Sequence, residues 1–223
     1  MKLRPSPVFT KYNRDAIRRG DKTQTRQVVK PQPKGISNIW VPGLSDGDLY
    51  WDMTRDALCR AVWSRRKGES LTSVLLRPPY GQPGDMWYLR EPLVELNGMT
   101  MYGDNGVVDC RDWAWKSRCL SSMSMPRRFA RTFRVITDVR PERLQDISPA
   151  DCLAEGVVPW RDRGASCFNF MGFTRKTVRE AFFAGWDHIN ARHPRNWALY
   201  NPYNWVYTFR EATPAEIEAV KEK

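Results

Sequence analysis

The stretch Arg131-Thr132-Phe133-Arg134-Val135-Ile136-Thr137-Asp138-Val139 alternates along its length. Phe133, Val135, Thr137 and Val139 fall on one side; Arg134, Ile136 and Asp138 fall on the other. A period of two is the signature of a β-strand. Working outward, Met86-Trp87-Tyr88-Leu89 reads as a second strand after the turn cluster at 78–85. Trp205 to Arg210 reads as a last strand after Asn201-Pro202-Tyr203-Asn204, and Leu49-Tyr50-Trp51 and Ala61-Val62-Trp63 are further strand anchors. Helices are few. Tyr12 to Arg19 is amphipathic, with Phe9, Tyr12, Ala16 and Ile17 on its apolar side and Gly20 as C-cap. Ser148-Pro149-Ala150-Asp151 starts a short helix that Gly156 ends. Val178, Phe182, Phe183, Trp186 and Ile189 share one helical face, and Thr213-Pro214-Ala215-Glu216 opens a C-terminal helix as a capping box. Strands spread along the chain with few helices between them do not make repeated βαβ units. The expected class is α+β, a small mixed β-barrel with peripheral helices.

The chain has 223 residues, 41% of them hydrophobic and ten of them Trp. That length suits one large domain or two small ones and allows a real core; the aromatic content argues against disorder throughout. No apolar run approaches the roughly 18 residues of a membrane span, and Met1-Lys2-Leu3-Arg4-Pro5-Ser6-Pro7 has no secretory pattern. A cytoplasmic protein with no membrane partner is expected. Five cysteines with no C-x-x-C spacing indicate neither a disulfide framework nor a zinc knuckle. With only His188 and His193 and no HExxH, no metal site is expected, and no G-x-S-x-G marks a serine hydrolase.

The net charge is +11. Residues 1–34 hold ten Lys/Arg and two Asp/Glu, a net of +8, and residues 35–125 have a net of −1. A concentrated basic segment attracts anions, nucleic acid above all. Inside it lies Gly20-Asp21-Lys22-Thr23-Gln24-Thr25-Arg26. On a helical turn, Lys22 and Thr25 would share a face; on a regular strand they would not. A helix end or turn running from Gly20 is the geometry that lets them cooperate. A Thr hydroxyl becomes a nucleophile beside a base. A lysine acts as that base once its pKa falls from about 10.4, as nearby cations make it do; Arg18, Arg19 and Arg26 are close in sequence.

These residues also carry a resemblance. The run from Gly20 to Pro33 resembles the ASCH-domain family, as do Pro79-Tyr80-Gly81-Gln82-Pro83-Gly84-Asp85 leading to Trp87-Tyr88-Leu89-Arg90-Glu91. Further matching blocks are Met125 to Arg131, Leu144 to Ser148 through Ala154-Glu155-Gly156, Trp186 to Asn190, and Asn201 to Val206. The chain is most similar to the long phage and prophage type. The resemblance implies a PUA-like β-barrel fold over residues 1–223 as a single domain, with insertions at about 36–75 and 97–122.

Some small ASCH proteins are amidohydrolases that remove the acyl group from N4-acetylcytidine with a Lys, a Thr three residues on, and a Glu in a later helix. By resemblance these fall on Lys22, Thr25 and, with Ile147 in place of the family leucine, Glu155. The family arginine two residues past the Thr is Gln27 here; Arg26 stands one place earlier. Arg26, Tyr88, Arg90 and Glu91 are the candidate substrate-binding residues, with Arg90 and Glu91 alternatively a structural ion pair. Trp87 and Tyr88 would stack on a base or fill the core, and Arg127, Arg128 and Arg131 would meet phosphate or solvent. The expected activity is metal-independent hydrolysis of N4-acylated cytosine or cytidine without a cofactor. The partner is a nucleoside or nucleobase, with RNA as a further candidate. A non-catalytic RNA-binding module and a ribonuclease on the same fold are the alternatives.

Overall fold

The computed structural model describes residues 1–30, 32, 35–36, 49–52, 60–63, 72–75, 77–104, 106, 113, 115–162, 164–190 and 200–221. Along the chain the elements are β1 (Leu3–Pro5), α1 (Lys11–Arg19), β2 (Gln24–Val28), β3 (Gly35–Ile36), β4 (Leu49–Asp52), β5 (Arg60–Trp63), β6 (Thr72–Leu75), β7 (Met86–Tyr88), β8 (Leu93–Leu96), β9 (Met99–Tyr102), β10 (Cys119–Leu120), β11 (Phe133–Arg143), α2 (Pro149–Ala154), β12 (Val158–Asp162), β13 (Ala165–Phe170), β14 (Phe173–Arg175), α3 (Val178–Ile189), β15 (Tyr203–Glu211) and α4 (Pro214–Lys221). The protein is α+β. Its strand orders are β1-β7-β11-β15-β2, β10-β8-β9, β12-β13-β14 and β3-β4-β5-β6. Each order has two ends, so among the described residues no sheet closes into a barrel. No helix among them is long and apolar enough to cross a membrane.

The chain forms two compact units. The first comprises Met1–Thr23, Tyr80–Thr137 and Phe209–Lys223; the second comprises Gln24–Pro79 and Asp138–Thr208.

In the first unit, β1 runs parallel to β7, with Leu3 opposite Met86, and β7 runs antiparallel to β11, with Tyr88 opposite Phe133. Met86, Phe133, Val135, Ala212 and Val220 form one core cluster, and Leu93, Met125 and Phe129 form another. α1 begins at Thr10, whose hydroxyl accepts from the Asn13 amide, and ends at Gly20 in the left-handed region at φ +84°. Arg14 lies outside the apolar set of α1 yet is buried, because Asp104 receives its guanidinium through two contacts of 2.6 Å. α4 starts with the expected capping box: Thr213 Oγ1 accepts from the Glu216 amide at 3.3 Å, and Glu216 accepts from the Thr213 amide at 2.8 Å. β8 and β9 form a hairpin around Asn97-Gly98, both at positive φ, which is the Asn-Gly signature of a two-residue turn.

In the second unit, β2 pairs antiparallel with β15, with Thr25 opposite Tyr207 and Arg26 opposite Val206. Ser148 caps α2 and Pro149 opens it. α3 starts with a capping box between Thr177 and Glu180 and packs on the β12–β13–β14 sheet. Phe182 meets Phe170 and Trp186, each at 5.8 Å between ring centroids. Ile189 was expected on this buried face, yet as the last residue of the helix it is exposed. The anchors at Leu49 and Ala61 lie in β4 and β5; Trp40 and His193 fall outside the described residues, as does most of 36–75.

Gly185 faces Phe170 so closely that a Cβ there would lie 2.3 Å from a ring carbon. Alanine ordinarily favours a helix over glycine by about 1 kcal/mol. Here Gly185→Ala is expected to destabilise by about 1–3 kcal/mol instead, because Phe170 is buried and cannot yield. Phe182→Ala, which empties the same contact, is expected to cost about 3–5 kcal/mol. Denaturant midpoints check both.

Candidate functional site

The decisive local fact is where β2 begins. α1 ends at Gly20, the Lys22 amide donates back to the Ala16 carbonyl at 3.2 Å, and the strand starts at Gln24. Lys22 therefore lies in the link before the strand and Thr25 lies within it. The helical turn expected to hold both is absent, because Thr25 to Val28 are drawn into the ladder with β15. Lys22 belongs to the first unit, and Thr25, Arg26 and Glu155 belong to the second. All four are nearly excluded from solvent: Lys22 is 2% exposed, Thr25 4%, Arg26 3% and Glu155 3%.

Alternation along β2 sets Gln24 and Arg26 on one face and Thr25 and Gln27 on the other. The first face carries a dense polar network. Arg26 Nη1 donates to Gln24 Oε1 at 2.7 Å and to Glu155 Oε1 at 3.0 Å. Its Nη2 donates to Glu142 Oε1 at 2.5 Å and lies 3.7 Å from Asp151 Oδ2. Gln24 Nε2 donates to Asp151 Oδ1 at 2.9 Å, and Ser148 Oγ donates to Asp151 Oδ2 at 3.0 Å. Arg140 sits near Glu142 at 3.2 Å and Asp151 at 3.5 Å. Glu155 reaches this network as the C-cap of α2, and Gly156 at φ +97° turns the chain away behind it. The structure thus brings Arg26 and Glu155 together and leaves Thr25 on the opposite face of β2 from Arg26.

The electrostatics follow from these partners. Burial pulls the Arg26 guanidinium down, but Glu155 and Glu142 outweigh it and hold it above its ordinary value. Burial would raise Asp151, yet hydrogen bonds from Gln24 and Ser148, with Arg26 and Arg140 nearby, hold it below the usual carboxylate range. Burial pushes the Cys152 thiol up to about 12, so it stays protonated at neutral pH.

The other sequence-selected residues lie in the first unit. Tyr88 packs against the Met86 core cluster. Trp87, 2% exposed, donates its indole N–H to the Tyr80 carbonyl at 2.7 Å and meets Phe209. Arg90 donates to the Ser6 carbonyl at 2.6 Å. Glu91 has no exposure and takes two hydrogen bonds from Arg131, at 3.0 and 2.6 Å, and an ion pair from Arg18. Of the two openings for Arg90 and Glu91, the structure shows neither pairing with the other: each meets a different partner. Sequence reasoning missed Gln24, Glu142 and Asp151 as a group. No local spacing links them; only the meeting of β2, β11 and α2 does.

Among the described residues no cluster of three or more metal-ligating side chains occurs. Comparison of the chain with family models, with curated proteins and with solved structures finds no match in any of the three.

Because Asp151 is depressed in the folded state, its contribution to stability is present above the unfolded value of about 3.9. It is lost as pH falls through the lower folded value. Stability measured by denaturant titration from about pH 6 down to about pH 3 is expected to decline, and Asp151→Asn is expected to flatten part of that decline.

Proposed function

We propose that the chain is a PUA-like, ASCH-type amidohydrolase of the cytoplasm that removes the acyl group from N4-acylated cytosine or cytidine. The observation that carries the reading is that Lys22, Thr25 and Glu155 are each buried. Lys and Glu are seldom buried unless held for a purpose or by partners, and these are the residues that the motif singles out. Burial is also the setting in which a lysine amine most readily gives up its charge.

In the proposed chemistry, Thr25 Oγ attacks the acyl carbonyl carbon and its proton passes to neutral Lys22. Glu155 in its acid form gives a proton to the departing exocyclic nitrogen as the C–N bond breaks, releasing cytidine. Cytosine assists, because its ring withdraws charge from that nitrogen. Water then cleaves the acyl–Thr25 ester, which releases the carboxylic acid and restores the hydroxyl. Backbone N–H groups or protonated Lys22 would stabilise the oxyanion.

A second reading, a non-catalytic RNA-binding module, is favoured by one observation: Glu155 already accepts from Arg26, on the face of β2 opposite Thr25. The assay that separates the two is incubation with N4-acetylcytidine. The amidohydrolase yields cytidine and acetate; Thr25→Ala abolishes the reaction, and Lys22→Met slows it by about 10²–10⁴-fold. An inert wild type that binds RNA with a steep salt dependence identifies the binding module.

A further inference from the structure

We propose that the segment from Trp113 to Arg118, together with Arg128, is a docking surface for single-stranded nucleic acid: Lys116, Arg118 and Arg128 meet phosphates, and Trp115 with Arg128 receives a base. The surface uses none of Lys22, Thr25 and Glu155, so it stands apart from the chemistry proposed for them.

Between Trp113 and Thr137 the chain has six Lys/Arg and no Asp/Glu. Arg131 and Arg134 of this run reach carboxylates, Glu91 and Glu211, and Arg127 gives a terminal N–H to the Val220 carbonyl. Lys116 and Arg128 have no ion pair among the described residues. Arg118 lies 3.6 Å from Glu95, but its side chain is 87% exposed, and so open a contact is worth little in water. All three cations are exposed. The basic N-terminal segment differs, since Arg4, Lys11, Arg14, Arg18 and Arg19 each pair with a carboxylate. In the first unit, the cations left for an external polyanion thus lie in the later run more than in the N-terminal one.

Aromatic rings stand among these cations. Trp113 and Trp115, both half-buried, meet edge-on at 4.9 Å between ring centroids. Trp115 rests against Phe129 at 6.0 Å, and the Arg128 guanidinium lies 6.0 Å from the Trp115 ring and 4.8 Å from the Phe129 ring. The Trp113 indole N–H donates to the Ser117 carbonyl at 2.9 Å, which closes a turn around Lys116. The Arg118 carbonyl accepts from the Glu95 amide of β8 at 2.8 Å, which ties that turn to the sheet. Phosphates call for cations, and unpaired bases call for flat faces; a guanidinium beside an aromatic ring supplies both at one point. An acidic peptide would use the charges and leave the planes idle, and a duplex keeps its base faces within the stack.

The test measures binding of a fluorescein-labelled single-stranded RNA of about twelve nucleotides to the full chain by anisotropy across salt. Three phosphate contacts predict a slope of log K against log salt of about −2. The double variant Lys116→Gln, Arg118→Gln is expected to weaken binding about 25-fold at about 0.1 M salt and to flatten the slope by about 1.4. Arg128→Gln weakens binding more than about fivefold. Arg128→Lys keeps the slope yet still weakens binding severalfold, because an ammonium offers no plane. Lys11→Gln, which removes one exposed charge from the N-terminal segment, leaves binding unchanged. These are surface changes, and equal melting temperatures check that the fold is kept.

A wild type that does not bind the RNA, or a loss in Lys11→Gln equal to that in Arg128→Gln, overturns the surface. So does displacement of the RNA by polyglutamate or by duplex RNA at equal charge concentration, which would make it a site for any polyanion. RNA binding beside a chain inert toward N4-acetylcytidine leaves this surface standing while the amidohydrolase reading fails; deacylation by a chain that binds no RNA does the reverse.

Discussion

A guanidinium cannot give up its proton at any pH a cell experiences, and burying one costs several kcal/mol unless anions and acceptors surround it. Arg26 imposes that constraint on the second unit. Its side chain is fully enclosed, so β2, β11 and α2 must each deliver an acceptor to it: Gln24, Glu142, and Asp151 with Glu155. The start of α2 at Ser148 and its end before Gly156 place Asp151 and Glu155 one helical turn apart. A shift of β2 by one residue would turn Arg26 to the other face and take its guanidinium away from Glu142, Asp151 and Glu155.

The first unit answers the same constraint with the signs reversed. Glu91 is wholly buried and Asp104 nearly so, and Arg14, Arg18 and Arg131 close around them. Burial would raise Asp104, but Arg14 and Arg18 hold it below the usual carboxylate range. These pairings change the meaning of the basic N-terminal segment. Arg14, Arg18 and Arg26 all belong to its excess charge, yet each is committed to internal carboxylates. The local excess of residues 1–34 is thus partly matched by carboxylates from later in the chain, which the net of +11 already counts.

Much of the local structure was legible. Ser148, Thr213 and Gly20 announced helix ends through capping chemistry that operates over three or four residues, and the alternation of Phe133 to Val139 announced β11. The Asn97-Gly98 hairpin carries a turn signal that went unread, because the residues from 97 onward read as an insertion. The β12–β13–β14 sheet was not read at all; β12 is mostly exposed, Trp160 included, and has no apolar alternation to announce it. Lys22, Thr25 and Glu155 were found through motif and resemblance, and their burial is what the structure adds.

The sequence by itself determined the capped helices, the strand β11, the class α+β and the placement of charge along the chain, because each depends on neighbours within a turn or a strand. Only the tertiary structure decided which charges meet. Arg26 and Glu155 are 129 residues apart, and Arg26 and Glu142 are 116 apart. Over such distances no period or spacing carries information. The pairing is chosen by the cost of an unmatched buried charge, which is felt only once strands and helix have packed.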